Sequence, residues 1–182
     1  MVGDAVLRRP LVSALIVFAC LAAASPQAGP DWTVYLRRAG AIRIGASLDE
    51  TRRALADRKA TLQGSAPRSP IDECSYLATD ALPDGFTVMF QRGRVVRIDI
   101  RRAGLKTASG VGVGSTEDDV RRAYVARIET TLRKYTVGHY LTYTTADEGD
   151  RGLGIVFETD GARVTSFRIG TTEAVALVEG CS

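Results

Sequence analysis

Two periods alternate along this chain. A 3.6-residue period marks short helices, a two-residue period marks strands, and the succession occurs twice. Leu48, Thr51 and Leu55 recur at helical spacing, as do Val120, Tyr124 and Ile128, and each set predicts one apolar face. Strand-like runs follow near Ser75–Leu77, Phe86–Gln91 and Val95–Arg101, then again over Lys134–Thr144, Gly154–Glu158 and Arg163–Ile169. The turns between them are Pro83-Asp84-Gly85 and Arg92-Gly93 in the first set, Gly149 to Gly152 and Thr159-Asp160-Gly161 in the second. Connections this short demand antiparallel pairing. The polar stretch Ala56–Pro70, with Gly64, Pro67 and Pro70, reads as a loop, and Thr172–Gly180 as a short helix in preference to a last strand. The expected fold class is α+β.

The two successions align in detail. Gly45, Asp49, Arg52, Arg53 and Ala54 recur 69 residues later as Gly114, Asp118, Arg121, Arg122 and Ala123. Further on, Ser75-Tyr76-Leu77 faces His139-Tyr140-Leu141, and Val88-Met89-Phe90-Gln91 faces Ile155-Val156-Phe157-Glu158. Each helix opens on a capping box, Ser47 with Glu50 and Thr116 with Asp119, in which hydroxyl and carboxylate each cover an orphaned backbone N–H. Acidic residues in the first turn and arginines in the last suit the helix dipole. The reading is two tandem modules, residues 40–105 and 108–182, each a helix followed by an antiparallel meander, after an N-terminal linker over residues 25–39.

A helix opened by Gly-x-Ser/Thr-x-x-acid and followed by such a meander resembles the module of the secreted β-lactamase inhibitor proteins. It is similar also to the SmpA/OmlA-type (BamE) outer-membrane lipoproteins. The likeness is carried by Gly45-Ala46-Ser47 with Glu50, and by Gly114-Ser115-Thr116 with Asp119 and Val120. The tandem arrangement looks like the inhibitor proteins in particular, and the resemblance implies helices packed on one face of a curved sheet. No inhibitor contact residue matches a position here, so none is carried over.

The N-terminus changes the picture, because residues 1–24 have the three parts of a secretory signal. Arg8 and Arg9 form the positive region, Leu11–Ala24 is uncharged and apolar, and Ala22-Ala23-Ala24 precedes a cleavage point before Ser25. Cleavage after Ala28 is a second option, an uncleaved anchor a third, and lipoprotein processing at Cys20 a fourth. At 14 residues the run is short of the roughly 20 that span a bilayer. No later stretch reaches that length, so no integral membrane span is expected in the mature chain. Removing residues 1–24 takes away two arginines and one aspartate, leaving a net charge of +2 with the signs interspersed. A one-signed basic stripe of the kind that binds nucleic acid is absent. Cys74 and Cys181 remain, and an even count in an exported chain predicts a disulfide, with free thiols or interchain pairing as alternatives. Closing a loop of about 100 residues stabilises by up to about 4.7 kcal/mol in the chain-entropy model. A periplasmic or secreted location follows, lipid anchoring through Cys20 being the alternative.

Candidate chemistry is sparse. His139 is the one histidine, so a zinc site lacks partners, and no Gly-x-Ser-x-Gly elbow offers a nucleophile. Gly110, Gly112 and Gly114 lack the lysine of a phosphate loop. Asp147-Glu148-Gly149-Asp150 lacks the ligand ladder of a calcium loop and reads as a solvated hairpin tip. No metal, cofactor or catalytic set is expected. Read as a single strand, Lys134–Thr144 sends Tyr135, Val137, His139, Leu141 and Tyr143 to one face and Tyr140 to the other, with Gly138 at a bulge or close backbone approach. Tyrosine gives rigid contact area with a polar tip, so Tyr135, His139, Tyr140 and Tyr143 are the candidate partner-binding residues, against the plain reading of half-buried core. The functional expectation is a non-enzymatic binding or structural protein of the envelope that meets an envelope or secreted protein through a sheet face. An envelope hydrolase and a small-ligand or glycan carrier are the alternatives. The partner's identity and the oligomeric state are left open, a monomer being the simplest case.

Overall fold

The alternating segments pair edge to edge into one sheet, as their short turns require. The computed structural model of the protein describes residues 31–64, 74–125 and 127–181. The expected signal sequence over residues 1–24 and Cys20 lie outside these residues. Three two-residue strands come first: β1 (Val34–Tyr35), β2 (Arg38–Ala39) and β3 (Ile42–Arg43). Helix α1 (Leu48–Ala54) leads into β4 (Thr61–Gln63), β5 (Cys74–Ala78), β6 (Phe86–Gln91) and β7 (Arg94–Ile100). Helix α2 (Glu117–Ala123) leads into β8 (Ile128–Leu132), β9 (His139–Thr144), β10 (Leu153–Thr159) and β11 (Val164–Thr171). A third helix, α3 (Thr172–Ala176), follows directly.

The main sheet has eight strands in the order β4-β5-β6-β7-β11-β10-β9-β8, and every pairing is antiparallel. Each set of four strands is a meander, and the last strands of the two sets, β7 and β11, pair at the centre, with Ile98 opposite Ile169 and Ile100 opposite Phe167. The edges are therefore the first strands, β4 and β8. The architecture is α+β, mostly antiparallel sheet with few and short helices.

Period-two alternation decides which side chains meet. Phe90, Ile98, Phe157, Phe167 and Ile169 point to one face and are buried in a single apolar cluster with Val34, Ile42 and Val120. Leu48 and Leu55 from the α1 segment, and Tyr124 after α2, pack against that cluster. Aromatic contacts knit its two ends, Trp32 on Phe86 at 5.1 Å and Tyr124 on Tyr143 at 4.7 Å between ring centroids. Both capping boxes form as the sequence predicts.

The opposite face is covered in its middle by the C-terminal segment. Helix α3 packs on β10, β11 and β7, with Ala174 and Val175 buried. Beyond it the chain crosses to β5, where Cys181 is bonded to Cys74 with 5.4 Å between Cα atoms. The Cys181 N–H donates to Tyr76 Oη at 3.1 Å. The expected disulfide is present. Among the described residues no helix is long and apolar enough to cross a membrane.

Four expectations are corrected. Residues 31–39 are no linker, because β1 and β2 bury Val34 and Ala39 in the core. The loop assigned to Ala56–Pro70 contains β4, whose Leu62 lies opposite Leu77 of β5. The second helix stops at Ala123, and Ile128, read as its last apolar position, opens β8, where Thr130 and Thr131 suit strand better than helix. Lys134–Thr144 is no single strand: β9 begins at His139, and residues 134–138 are the loop joining it to β8. Gly138 has φ +121°, which no strand continues through.

Candidate functional site

The four candidate binding residues are distributed over three places. Within β9, His139, Leu141 and Tyr143 face the helix side, where Leu141 lies opposite Phe157 and Tyr143 opposite Ile155. Tyr143 packs on Tyr124 as part of the core. Tyr140 points to the other face, opposite Glu158, with the guanidinium groups of Arg133 and Arg168 at 5.9 and 5.8 Å from its ring centroid. Tyr135 is in the β8–β9 loop, its Oη bonded to Glu179 at 3.2 Å and the Lys134 ammonium 5.0 Å from its ring centroid. The single face expected from alternation is not built, because the alternation is broken at Gly138.

His139 has a buried partner that the sequence reading missed. Glu117, the first residue of α2, accepts from Thr159 Oγ1 at 2.5 Å, meets His139 Nδ1 at 2.7 Å and accepts from Arg121 Nη2 at 2.9 Å. Burial pushes its carboxyl up, but the bonds from Thr159, His139 and Arg121 outweigh burial and hold it below the usual carboxylate range. The Thr159 hydroxyl also accepts from the backbone N–H groups of His139 at 3.0 Å and Gly161 at 3.2 Å. With its donor committed to Glu117, this hydroxyl is not poised as a nucleophile for the imidazole. The cluster ties the base of the β8–β9 loop to the start of α2. Among the described residues no three His, Cys, Asp or Glu side chains gather as metal ligands.

The loop itself is closed and braced. The Arg133 N–H donates to the Gly138 carbonyl at 3.1 Å, and the Arg133 guanidinium reaches the Glu158 carboxylate and the Thr159 carbonyl, each at 3.3 Å. Gly138 lies so close to the Thr159 carbonyl that a Cβ there would collide with it, which is the close backbone approach the sequence suggested. At the end of β8 Leu132 is 79% exposed, and on the braced loop Tyr135 is 64% and Val137 86% exposed. A shallow depression runs beside them with His139 on its wall. β8 pairs with β9 on one side only, and among the described residues no strand lies on its outer edge. Val137 reads as a strand position because the alternation runs unbroken past Gly138, and Leu132 falls outside every element read from the sequence.

A second charged cluster lies on the opposite face beneath the C-terminal segment. Arg97, 2% exposed, makes a two-pronged bond to Asp99 at 2.8 and 2.9 Å and donates to the carbonyls of Ala174 at 3.1 Å and Leu177 at 2.6 Å. Arg168, 4% exposed, donates to the Val175 carbonyl at 2.6 Å and pairs with Glu158. Two buried arginines thus hold the backbone of α3 and the residue after it.

No family model matches this chain, and no curated protein matches it. Among solved structures it is similar to the protein yfeY from Escherichia coli, with a TM-score of 0.47 and 12% sequence identity over 76% of this chain and 99% of that one.

Proposed function

We propose that this chain is an exported, non-enzymatic binding protein of the cell envelope that engages another protein through the β8–β9 hairpin. The observation that carries the reading is the exposure of Leu132, Tyr135 and Val137 together on one braced hairpin, beside the outer edge of β8, which has no strand partner among the described residues. Large apolar side chains left in water at one place are the signature of a contact surface. The outer edge of β8 offers backbone donors and acceptors to an extended partner segment, and the loop supplies side-chain anchors next to it. Bracing by Arg133, Gly138 and the Tyr135–Glu179 bond lowers the ordering cost that binding would otherwise carry. The sheet face expected to bind is thereby replaced by a sheet edge and its loop.

Export is supported by the Cys74–Cys181 bond, which persists in oxidising compartments, and by the N-terminal signal pattern. Periplasmic or secreted release is the reading adopted. Intact mass of the exported protein tests it: a chain starting at Ser25 or Gly29 supports it, and a lipidated Cys20 replaces it with a membrane-tethered one.

The two halves are read as copies of one module. Gly45 N–H donates to the Val95 carbonyl at 2.7 Å, and 69 residues on Gly114 N–H donates to the Val164 carbonyl at 2.8 Å. Arg94 and Arg163 reach the carbonyls of Gly45 and Gly114 at 3.3 and 2.9 Å in the same way. That correspondence supports the likeness to tandem inhibitor-type modules.

The test of function is capture with photo-crosslinking groups at Glu129 and Thr131 on β8. A defined envelope protein is expected to crosslink to the wild-type chain and to be lost from a Leu132→Ser, Tyr135→Ser, Val137→Ser variant whose melting temperature is unchanged. An identical crosslinking pattern from both proteins overturns the hairpin reading.

A further inference from the structure

Four arginines converge on one cleft at the other end of the molecule. It lies between β3, the start of β7 and the turn before β10, has a volume of about 410 Å³, and is lined by Arg37, Arg43, Arg94 and Arg151. Val95 and Leu153 line it as well, so guanidinium groups stand around a partly apolar pocket. We propose that this cleft binds a phosphorylated small molecule, its phosphate oxygens held by Arg43, Arg94 and Arg151.

The four side chains are not equivalent. Arg37 is committed, pairing with Asp150 and donating to the Gly149 carbonyl, and it ties the turn that carries Arg151 to the β1–β2 turn. Arg94 meets Glu50 at 3.5 Å and the Gly45 carbonyl at 3.3 Å, long contacts that leave donors over. Arg151 pairs with Glu148 at 3.2 Å, both side chains largely in water, where such pairs contribute little. The Arg43 side chain makes no ion pair or hydrogen bond among the described residues, although it lines the same cleft. Three of the four arginines have a carboxylate partner, but the charged side chains lining the cleft are all arginines. A cleft with one sign on its walls concentrates the opposite charge. Phosphate matches the chemistry, because its oxygens accept from several planar guanidinium forks at once. The volume is that of a small-ligand pocket.

The second half of the chain contains an internal contrast. Arg163 holds the Gly114 carbonyl as Arg94 holds that of Gly45, so this arginine has a structural use in both halves. Sixty-nine residues after Arg43 and Arg37 stand Gly112 and Lys106, so the second half has no counterpart of the Arg37, Arg43 and Arg94 grouping that Arg151 joins.

Calorimetric titration of the disulfide-intact protein with pyrophosphate at low salt tests the proposal. Saturable binding is expected, weakened about tenfold or more by Arg43→Ala, weakened less by Arg43→Lys, and unaltered by Arg163→Ala. The Arg43 side chain has no hydrogen-bond partner among the described residues, and its substitution leaves the backbone pairing of β3 in place, so its variants keep the fold. Displacement of pyrophosphate by phosphatidic acid vesicles assigns the phosphate to a lipid headgroup, and failure to displace assigns it to a soluble ligand. The proposal is overturned by the absence of saturable binding in the millimolar range, or by equal weakening in Arg43→Ala and Arg163→Ala, which marks a bulk charge effect.

Discussion

Glu158 shows how single residues set the stability of this protein. Its carboxylate lies between Arg168 and Arg133 and accepts from Ser166 Oγ at 3.0 Å. Burial pushes the carboxyl up, but Arg168, Ser166 and Arg133 together hold it below the usual range, as the partners of Glu117 do there. A carboxyl depressed in the folded state contributes stability that is present above its unfolded value, about 4.3, and is lost as pH falls through the folded value. The urea midpoint of the wild-type protein is therefore expected to decline below about pH 4.3. In Glu158→Gln and Glu117→Gln the protein starts less stable at pH 7, and the decline is shallower. Equal slopes in wild type and both variants would remove these carboxylates from the account. None of this pairing was legible in the sequence. Arg97, Asp99, Glu158 and Arg168 occupy positions on the opposite face from the apolar core residues, as polar residues in an alternating strand should. Alternation gives the facing of a side chain and not what the rest of the chain lays over it.

At the scale of elements, the helices were legible because their signals are local. A hydroxyl, a carboxylate three residues on and a preceding glycine suffice, and Ser47 N–H and Thr116 N–H do donate to Glu50 and Asp119 at 2.7 and 2.9 Å. Replacing Ser47 or Thr116 by alanine is expected to cost about 1 kcal/mol each. The two caps share no partner, so the double variant should lose the sum, read from chemical denaturation. A marked departure from additivity would mean that the two halves communicate through their helices. The strands of two or three residues, β1 to β4, were missed because a period cannot be counted over so few positions. β8 was missed because Ile128 continues the apolar spacing of the helix before it, and β9 was begun too early because Tyr135 and Val137 keep the alternation going through a loop. Only the conformation of Gly138, fixed by the Thr159 carbonyl against it, marks where that loop ends and β9 begins.

For the molecule as a whole, the sequence predicted the α+β class, the antiparallel pairing and the disulfide, since these follow from turn lengths and cysteine count. It did not predict that the two meanders would join through their last strands, because a pairing such as Ile98 with Ile169 has no local signature. Nor did it reveal the arginine cleft, whose members come from four separate segments. The C-terminal segment bridges the seam between β7 and β11, and a Cys74→Ser, Cys181→Ser variant should show its contribution. A loss approaching about 4.7 kcal/mol is expected from the loop closed, read as a lower melting temperature than that of the oxidised wild type. An unchanged melting temperature would contradict it.

The same bond has a mechanical meaning. Its two cysteines are 107 positions apart in sequence and enclose β5 through α3, both sides of the seam included. A force applied to the chain at residues 31 and 181 passes through the sulfur–sulfur bond and leaves the enclosed residues slack. While that bond is intact, roughly 350 Å of contour length is withheld from stretching. The oxidised protein yields under load only in the stretch that precedes Cys74, where β1 to β4 and α1 lie, and the seam is spared.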